Sequence, residues 1–511
     1  MSESTHIPRD AAPYNVGAQL LAAAARRGDS VVARCAGVTT SGDSLAALAL
    51  ALQANLAAAG LSAGERVLIV ARDTPCFVAA FTGAMRGGFV PVPISTLLPP
   101  ADVAFIARDA RVRAVVVDRA LPAALADPAL YPAGAHRIAA NGSSFDGVEL
   151  GAEPDAARTL AGDPAFYLYT SGTTGEPKGV VHRHVDLPVT AECYARGVLG
   201  LGASDRLLSA AKLYFAYGLG NSLTFPLSLG AEVVLSPERA TPEAMFELIA
   251  RERPTVFFGV PTLYAAMLAH PALPASLGPV RVCVSAGEAL PASLYERWAT
   301  RFGVEILDGL GSTEMLHIFL SNRAGAARAG SSGVPVPGYE VRIVDADGRD
   351  VADGEIGRLL ARGESAARAY HARPEETART MFAPGWLRTG DSYRRDTDGF
   401  HWHVGRSDDL IKVSGLYVSP VEVEAALAAH PAVLEAAVVG QRDEHGLMKP
   451  RAFVVLAPGA QASERLAREL QEFVKANSAP HKYPRRVDFV AELPKTATGK
   501  IRRHLLREKA P

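Results

Sequence analysis

The first part of the chain alternates short apolar runs with longer stretches of helical periodicity. After a helical pattern that ends near residue 59, apolar runs recur at 65–71 (ERVLIVA), 89–94 (FVPVPI) and 112–118 (VRAVVVD). Runs of this length are typical of buried strands, and the segments PCFVAAFTGAMRGG and DVAFIARDA between them have the spacing of helices. Strands and helices that alternate in this way predict parallel α/β layers.

The same rhythm returns between residues 206 and 290. Strand-like RLLSA, AEVVL, TVFFGV and VRVCVSAG alternate with a helical pattern around 218–229 and with TPEAMFELIARER and TLYAAMLAH. A second α/β subdomain is therefore predicted.

The pattern changes after about residue 330. Short alternating segments such as YEVRIVDAD, EIGRLLAR and FHWHVGR are separated by turns of the DADG type, which predicts an antiparallel, barrel-like subdomain. From Asp409 onward a compact set of helices and strands predicts a small α+β domain. The predicted fold class is thus α/β, with a large N-terminal part of two α/β subdomains and a barrel-like subdomain, followed by a small α+β C-terminal domain.

Composition narrows the choice of partners. A chain of 511 residues is too long for a single core, and its net charge of -1 gives no electrostatic reason to expect nucleic acid or an anionic membrane. Four cysteines lie far apart in the sequence, so a disulfide framework is not expected. No signal peptide or membrane span is recognised, and a cytoplasmic protein is predicted.

The stretch YTSGTTGEPKG at 169–179 concentrates groups that can hold an anion. Hydroxyl side chains supply donors, glycines let backbone N–H groups turn toward a ligand, and Lys178 adds a positive charge. The order of residues differs from a Walker A loop, because Pro177 precedes the lysine and a glycine follows it. From these residues alone, a phosphate-binding loop competes with a solvated turn between two strands.

This stretch resembles the signature loop of the adenylate-forming superfamily of acyl- and aryl-CoA synthetases, adenylation domains and luciferases. Five further motifs resemble that superfamily in the same order, so the resemblance covers nearly the whole chain. They are SAGEALP (285–291), DGLGSTE (308–314), RTGD (388–391), GRSDDLIKVSGLYVSPVEVE (405–424) and PKTATGKIRR (494–503).

The resemblance implies ATP and coenzyme A as substrates and Mg²⁺ as cofactor. The residues that it assigns to ATP or AMP are Thr170, Ser171, Gly172, Thr173, Thr174, Lys178, Ala286, Gly287, Glu288, Asp308, Asp391 and Arg406. Asp391 would accept the ribose hydroxyls, although an acid in an Asx turn is the alternative interpretation of TGDS.

Glu314 follows two hydroxyl residues and is a carboxylate suited to a Mg²⁺ ion that bridges ATP phosphates. A helix N-cap with an acid in its first turn is the competing interpretation. The resemblance assigns Glu314 to Mg²⁺ and Thr313 to the α-phosphate.

Lys500, near the C-terminus, is by resemblance the lysine that bridges the substrate carboxylate and the α-phosphate. An attacking carboxylate and a phosphate are both negative, so a cation between them lowers the barrier. By the same resemblance, Asp408 is the hinge between a large N-terminal domain (1–407) and a small C-terminal domain (408–511), which would rotate between the two half-reactions. Gly415 and Lys412 are assigned to the face that receives the pantetheine of CoA.

The segment FAYGLGN within 212–235 resembles benzoate-CoA ligases in particular, and STEMLHIFLSNRAG (312–325) does so too. The aryl pocket implied by this resemblance comprises Phe215, Ala216, Tyr217, Gly218, Gly309, Leu310, Gly311 and Leu316, with His317 near the carboxylate end. Core packing is the alternative for the aromatic residues. The small residues predict a flat slot that suits a planar ring.

The pair of histidines in HWH (401–403) has no third ligand nearby, so a metal site is rejected and a surface position is expected. The predicted enzyme is an AMP-forming aryl-CoA ligase. Its predicted partner is a small aromatic carboxylate, and benzoate is the first choice of substrate. Hydroxy- and aminobenzoates such as anthranilate, or loading of a carrier protein by a stand-alone adenylation enzyme, are the alternatives. A homodimer is compatible with the sequence.

Overall fold

A computed structural model of the chain describes residues 12–149, 151, 153–171, 176–382, 385–407, 409, 411–413, 416–442, 447–477, 482–495 and 501–508. The elements of the first region are α1 (Val16–Ala25), β1 (Val31–Cys35), β2 (Val38–Ser41), α2 (Gly42–Ala58), β3 (Arg66–Val70), α3 (Pro75–Arg86), β4 (Val90–Pro93), α4 (Pro100–Asp109), β5 (Val112–Asp118), α5 (Ala123–Ala126) and β6 (His136–Ala140).

The second region contains β7 (Pro164–Ser171), β8 (Pro177–Arg183), α6 (Asp186–Thr190), β9 (Arg206–Ser209), α7 (Ala216–Leu219), α8 (Phe225–Leu229), β10 (Glu232–Leu235), α9 (Pro242–Glu252), β11 (Val256–Gly259), α10 (Pro261–Leu268), β12 (Val282–Ser285), α11 (Ala292–Phe302), β13 (Ile306–Gly311) and β14 (Ile318–Ser321). Two π-helical segments, Ala191–Arg196 and Gly220–Thr224, continue α6 and join α7 to α8.

The third region is mostly antiparallel: β15 (Val334–Pro335), β16 (Tyr339–Val344), β17 (Gly357–Gly363), β18 (Ala369–Tyr370), α12 (Pro374–Thr380), β19 (Met381–Phe382), β20 (Trp386–Arg395) and β21 (His401–Arg406). The fourth region holds β22 (Ile411–Val413), β23 (Leu416–Val418), α13 (Pro420–Ala428), β24 (Val433–Arg442), β25 (Met448–Leu456), α14 (Glu464–Asn477), β26 (Arg486–Phe489) and α15 (Arg503–Glu508).

Two sheets form the α/β part of the molecule. A four-stranded sheet has the order β4-β3-β5-β6, with all its pairs parallel. A nine-stranded sheet has the order β15-β14-β13-β12-β11-β9-β10-β1-β2, and its central strands from β1 to β13 are parallel. The strands β1 and β2 belong to this second sheet although they come first in the chain, so the two predicted subdomains share it.

The antiparallel parts surround this core. In the third region, β16, β17 and β20 pair in that order, and both β19 and β21 pair with β20. The hairpin β7–β8 forms its own sheet with β18. In the C-terminal unit, β24 and β25 are antiparallel while β26 pairs in parallel with β25. The predicted fold class, a large N-terminal α/β part and a smaller α+β C-terminal unit, is confirmed.

Local chemistry explains where several helices begin and end. Asn15 and Ser41 cap α1 and α2 by accepting hydrogen bonds from Ala18 and Ser44, at 3.0 and 3.2 Å. A glycine in the left-handed region, Gly303 (φ 67°), ends α11. None of the helices in the described ranges combines the length and the apolar character needed to cross a bilayer.

Candidate active site

The predicted phosphate loop is the tip of a β-hairpin. Its strands β7 and β8 pair in register, with Thr170 opposite Lys178. Gly179 lies against the ring of Tyr169, and an added Cβ there would be 3.1 Å from that ring. Of the predicted phosphate contacts, Gly172, Thr173 and Thr174 and the side chain of Ser171 lie outside the described residues.

Lys178 has one partner on β18 and another on α12. Its ammonium forms a 3.0 Å ion pair with Glu376, at the start of α12. The same ammonium lies 4.5 Å from the centre of the Tyr370 ring, within the range of a cation–π contact. Lys178 is therefore held close to the mouth of the hairpin rather than extended into solvent.

Glu314 is reached by the same tyrosine. The Tyr370 hydroxyl donates to Glu314 Oε1 at 2.7 Å, and the backbone N–H of Ala367 donates to the Glu314 carbonyl at 2.8 Å. The carboxylate is an anionic oxygen donor of the type Mg²⁺ prefers, with one oxygen oriented by a neutral hydroxyl. Within the described ranges it joins no cluster of three metal-ligating side chains.

The loop carrying Thr313 and Glu314 is fixed through its carbonyl groups. His182 Nε2 lies 2.8 Å from the Thr313 carbonyl oxygen, and the Ser365 hydroxyl donates to the Met315 carbonyl at 2.8 Å. Leu316 has a φ of 68°, a left-handed conformation that costs energy for a residue with a side chain. The surroundings thus hold a strained loop in one shape.

His182 was not identified from the sequence. Its ring is fully buried, stacks on Phe166 at 5.1 Å and lies 3.2 Å from Asp186 through Nδ1. It follows the lysine of the hairpin by four residues, so β8 connects the phosphate loop to the Thr313 loop. The corresponding sequence, VVHRHVD, indicates no particular chemistry, because the contact of His182 with Thr313 exists only in the folded chain.

The predicted adenine segment begins where β12 ends. Ser285 is paired in register with Asp308 on the parallel strand β13, so the carboxyl ends of both strands meet there. Ala286 is buried, while Gly287 has a φ of 97° and no atom within 4 Å of an added Cβ. Glu288 is partly exposed beside it. This is the edge of a parallel sheet at which nucleotides commonly bind.

Asp308 is a buried carboxyl group whose Oδ1 has no hydrogen-bond partner among the described residues, and Ser285 Oγ is in the same position. Burial raises the pKa of Asp308 well above its usual range. The Ser285 hydroxyl and the backbone N–H groups of Leu290 and Gly309 oppose this shift. A polar group such as the adenine amine would complete the hydrogen bonding of the two buried oxygens.

Asp391 and Arg406 face each other across β20 and β21. Arg406 Nη1 donates to Asp391 Oδ1 and to the Thr389 carbonyl, both at 3.1 Å. Gly390 has a φ of 78°, and an added Cβ would lie 2.5 Å from the Arg406 guanidinium. Glycine is needed at this position, because the guanidinium occupies the space of a side chain.

The surface position expected for the HWH histidines is wrong. His401 is buried, and His403 packs on Tyr393 with ring centres 5.2 Å apart. His403 Nε2 lies 3.7 Å from Asp391 Oδ1. The two histidines share the inner face of β21 because they are two residues apart in a strand.

The predicted aryl-pocket segment is the start of the α7–α8 helical run. Ala216 is buried, Tyr217 is half-buried, and its hydroxyl donates to the Val284 carbonyl at 3.2 Å. Phe215 packs partly buried against Tyr214 with ring centres 4.8 Å apart. Tyr214 itself is a core residue, as its alternative interpretation predicted.

Three glycines of the predicted flat slot lie in close contact with neighbouring backbone. An added Cβ would meet the Lys212 carbonyl oxygen at 2.0 Å from Gly218, and the Leu320 and His317 carbonyl oxygens at 2.8 Å from Gly309 and Gly311. These glycines allow backbones to pack closely, and protein atoms already fill the space beside them. Leu310 is partly exposed on β13 and Leu316 is buried, and membership of all these residues in the pocket stays a prediction.

His317 lies behind this segment and is buried. Its ring is surrounded by Tyr194, Tyr217 and Phe225, with centre-to-centre distances of 5.1, 5.5 and 4.6 Å. Its Nε2 lies 3.1 Å from Asn221 Oδ1. Burial lowers the pKa of His317 to about 3, so the ring is neutral at physiological pH.

The predicted C-terminal site residues are only partly covered. Lys500, Asp408 and Gly415 lie outside the described residues, as does the side chain of Lys412 on β22. Close by, Arg503 at the start of α15 pairs with Glu424 at 2.7 Å and lies 3.8 Å from Asp409. Burial lowers the pKa of Arg503, but the negative charges of Glu424, Asp409 and Glu288 outweigh burial and raise the pKa overall.

The family described as AMP-binding enzyme matches residues 20–371, and the AMP-binding enzyme C-terminal domain matches residues 422–500. The chain belongs to the AMP-binding enzyme family.

Individual relatives are aryl-CoA ligases. The chain is 52% identical to the benzoate--CoA ligase of Thauera aromatica over 458 residues, covering 88% of this chain and 86% of that protein. A solved benzoate CoA ligase from Burkholderia xenovorans LB400 has a TM-score of 0.90 and 47% identity over 97% of this chain and 100% of its own. An anthranilate CoA ligase in complex with anthranoyl-AMP has a TM-score of 0.91 and 40% identity, covering 98% and 97% of the two chains.

Proposed function

We propose that this protein is an AMP-forming benzoate–CoA ligase. Benzoate and ATP give benzoyl-adenylate and diphosphate, and CoA then gives benzoyl-CoA and AMP. The observation that carries the proposal is the 52% identity to a benzoate--CoA ligase across most of both chains. The half-buried Tyr217 and buried Ala216 beside the AMP-binding elements support an aromatic substrate.

In the first half-reaction, a benzoate oxygen bonds to the α-phosphorus of ATP while the bond to the bridging oxygen of the β-phosphate breaks. Lys178 and the hairpin donors would hold the departing phosphates, and Lys500 would lie between carboxylate and α-phosphate. Their task is electrostatic, because negative charge accumulates where these groups meet. Glu314 would hold the Mg²⁺ ion, which supplies neutralisation of the phosphate charge when it is bound.

Asp308 and Asp391 would place the nucleoside. Asp308 has an unpaired carboxyl oxygen at the sheet edge beside the segment that contains Ala286, Gly287 and Glu288. The Asp391 carboxylate, oriented by Arg406, would accept hydrogen bonds from the ribose hydroxyls. Thr313 would contact the α-phosphate from a loop whose carbonyl is fixed by His182.

In the second half-reaction, the CoA thiolate attacks the benzoyl carbonyl and AMP leaves with the electron pair of the broken C–O bond. The mixed anhydride makes this step favourable, since AMP is a far better leaving group than an oxide ion. Rotation about Asp408 would exchange the Lys500 segment for the one containing Lys412 and Gly415. Residues 1–407 and 408–511 are the two domains in this scheme.

Aminobenzoate is the second candidate substrate, because a solved anthranilate CoA ligase shares 40% identity over 98% of this chain. A single polar substituent changes affinity by only about 1–3 kcal/mol unless the pocket provides a partner for it. Hydroxybenzoates are candidate substrates for the same reason, because they too add a single polar substituent to the ring.

The deciding experiment combines purified protein with Mg²⁺, ATP, CoA and a panel of benzoate, hydroxybenzoates, anthranilate and short fatty acids. AMP and the acyl-CoA are quantified together for each acid. We expect benzoate to have the highest kcat/KM and to yield stoichiometric benzoyl-CoA. Diphosphate release without benzoyl-CoA would instead identify a carrier-loading adenylation enzyme, and preference for another acid would replace benzoate.

A further inference from the structure

A chain of buried polar groups lies behind the proposed aryl pocket. It runs from the Ala211 carbonyl through Ser209 and Asn221 to His317. Asn221 is 0% exposed and His317 is 3% exposed. Groups buried to this degree are expected to find their hydrogen-bond partners among neighbouring protein atoms.

The Ala211 carbonyl fixes the direction of every hydrogen bond in this chain. A carbonyl only accepts, so the Ser209 hydroxyl donates its single hydrogen to Ala211, at 3.1 Å. The Ser209 oxygen can then only accept from the amide nitrogen of Asn221, at 3.3 Å. This orients the Asn221 amide with its oxygen toward His317.

The Asn221 oxygen lies 3.1 Å from His317 Nε2 and cannot donate, so Nε2 carries the hydrogen. In a neutral imidazole the other nitrogen, Nδ1, then bears a lone pair. Nδ1 is buried and has no hydrogen-bond partner among the described residues. Packing adds to the constraint, because an added Cβ at Gly220 would be 2.4 Å from the His317 ring.

We propose that Asn221 is a positioning residue that holds His317 as a neutral hydrogen-bond acceptor beside the aryl pocket. The proposal rests on the proposed function, because it takes His317 as a pocket residue. His317 then contributes no positive charge, and its bare Nδ1 cannot hydrogen-bond the benzoate carboxylate, because both groups only accept. The counter-charge for the carboxylate comes from the nucleotide side of the site, and the pocket suits aromatic monocarboxylates without a second charge on the ring.

The surroundings of the ring support a neutral state. Burial lowers the pKa of His317 to about 3, and the Tyr217 backbone carbonyl opposes this only in part. The side chains around the ring are the aromatic groups of Tyr194, Tyr217 and Phe225. Burial also raises the pKa values of Tyr194 and Tyr217, so both phenols are neutral.

The tautomer can be observed directly by NMR with ¹⁵N-labelled histidine. His317→Gln identifies the resonances by their loss. We expect the wild type to show protonated Nε2 and bare Nδ1 at neutral pH, and Asn221→Leu to show a tautomer mixture. Ser209→Ala removes only the hydroxyl that orients the amide, and it provides the same readout if Asn221→Leu does not fold.

The kinetic consequence needs a matched control, which the chain provides. Asn55 Oδ1 contacts His136 Nε2 at 2.7 Å, a second asparagine–histidine pair located on α2 and β6. We expect Asn221→Leu to lower kcat/KM for benzoate, because the His317 ring is no longer held in one orientation and tautomer at the pocket. The cost of one unsatisfied buried group, about 5- to 150-fold, is the upper limit of this loss. The KM for ATP should stay constant, and Asn55→Leu should leave both parameters unchanged.

An Nδ1-protonated or imidazolium His317 in the wild type would overturn the proposal. An unchanged tautomer in the variants, or an equal loss in Asn55→Leu, would overturn it too. The NMR result needs no substrate, so it stands apart from the proposed function. If benzoate is not activated while the tautomer responds to Asn221→Leu, the function fails and the positioning role survives.

Discussion

The ring of Tyr370 joins two side chains that the proposed mechanism uses separately. Its hydroxyl donates to Glu314 at 2.7 Å, and its face lies 4.5 Å from the ammonium of Lys178. Burial raises the pKa of Tyr370, and the neighbouring Glu314 raises it further, so the hydroxyl remains a donor. One residue therefore sets the position of both the proposed Mg²⁺ ligand and the loop lysine.

Tyr370→Phe keeps the ring and removes the hydrogen bond to Glu314. Because hydrogen bonds to charged groups contribute about 1.5–3 kcal/mol, we expect at least about a tenfold loss in kcat/KM for MgATP. The rate of diphosphate release at varied Mg²⁺ concentrations measures this loss in kcat/KM. The control is Tyr295→Phe on α11, which removes a 3.1 Å hydrogen bond from a tyrosine hydroxyl to Glu305. An equal loss of kcat/KM in Tyr370→Phe and Tyr295→Phe would contradict a role specific to Glu314.

Lys500→Ala tests the other proposed cation. We expect adenylation to fall by about 100- to 1000-fold, the effect of losing one preorganised charge at a transition state. Thioester formation from synthetic benzoyl-adenylate and CoA should remain near the wild-type rate. Lys495→Ala is the control from the same motif, since Lys495 is paired with Glu435 at 2.7 Å. Normal adenylation by Lys500→Ala would remove the assigned role.

At the scale of elements, the turn at Thr389–Asp391 shows how a backbone conformation serves a side chain. Gly390 has a φ of 78°, and the Arg406 guanidinium occupies the place of its missing side chain. The turn and the strand pair β20–β21 thereby hold Arg406 on Asp391.

Gly390→Ala combines backbone strain with a clash against Arg406. We expect a loss of about 1–2 kcal/mol in stability from the positive φ alone, and a rise in KM for ATP as Arg406 is displaced. Gly399 also has a positive φ (86°) but nothing within 4 Å of an added Cβ. Gly399→Ala should therefore cost similar stability in denaturant titration and leave KM unchanged, and a change in KM there would contradict the argument.

Periodicity predicted the fold well because most elements carry their own pattern. The strand predicted at 65–71 is Arg66–Val70, and the helix predicted from PCFVAAFTGAMRGG is Pro75–Arg86. The helix predicted around 218–229 is instead interrupted by the π-helical segment Gly220–Thr224. No local pattern indicates that interruption.

The site was predicted where a motif is continuous in sequence and missed where distant elements meet. His182, Asn221 and Tyr370 act through contacts with residues 313, 317 and 314, which lie 131, 96 and 56 positions away. Asparagine, histidine and tyrosine at such positions carry no signal until the chain is folded. The close backbone contacts of Gly218, Gly309 and Gly311 were missed for the same reason, since only the fold shows the carbonyl oxygens beside them.

At the scale of the whole molecule, His184 links the N-terminal helix to the hairpin region. It is 1% exposed, and its Nδ1 accepts a hydrogen bond from the backbone N–H of Val16 at 3.3 Å. Burial lowers the pKa of His184 from 6.5 to about 4, although Asp163 and Asp186 oppose the shift. Protonation of His184 would break this connection.

A lowered folded-state pKa means that the unfolded chain binds the proton first. The contribution of His184 is therefore complete above pH 6.5 and is lost as pH falls toward 4, by up to about 3 kcal/mol. Asp73, whose pKa burial raises to about 6, acts in the opposite direction. Wild type and His184→Gln both contain Asp73, so its effect cancels when their free energies of unfolding are compared at pH 7 and pH 4.5. Their difference should shrink with acidification, and a constant difference would contradict the assignment.

The place of β1 in the nine-stranded sheet affects how this protein is made. Ala33 pairs with Val233, so a strand synthesised early waits for a partner about two hundred residues later. Pairing over such sequence separations is slow, and an unpaired strand edge invites association with other chains. On the ribosome, the four-stranded sheet β4-β3-β5-β6 can form first, whereas β1 and β2 lack the neighbouring strand β10 until residue 235 has emerged. We therefore expect nascent chains that end before β10 to depend on chaperones.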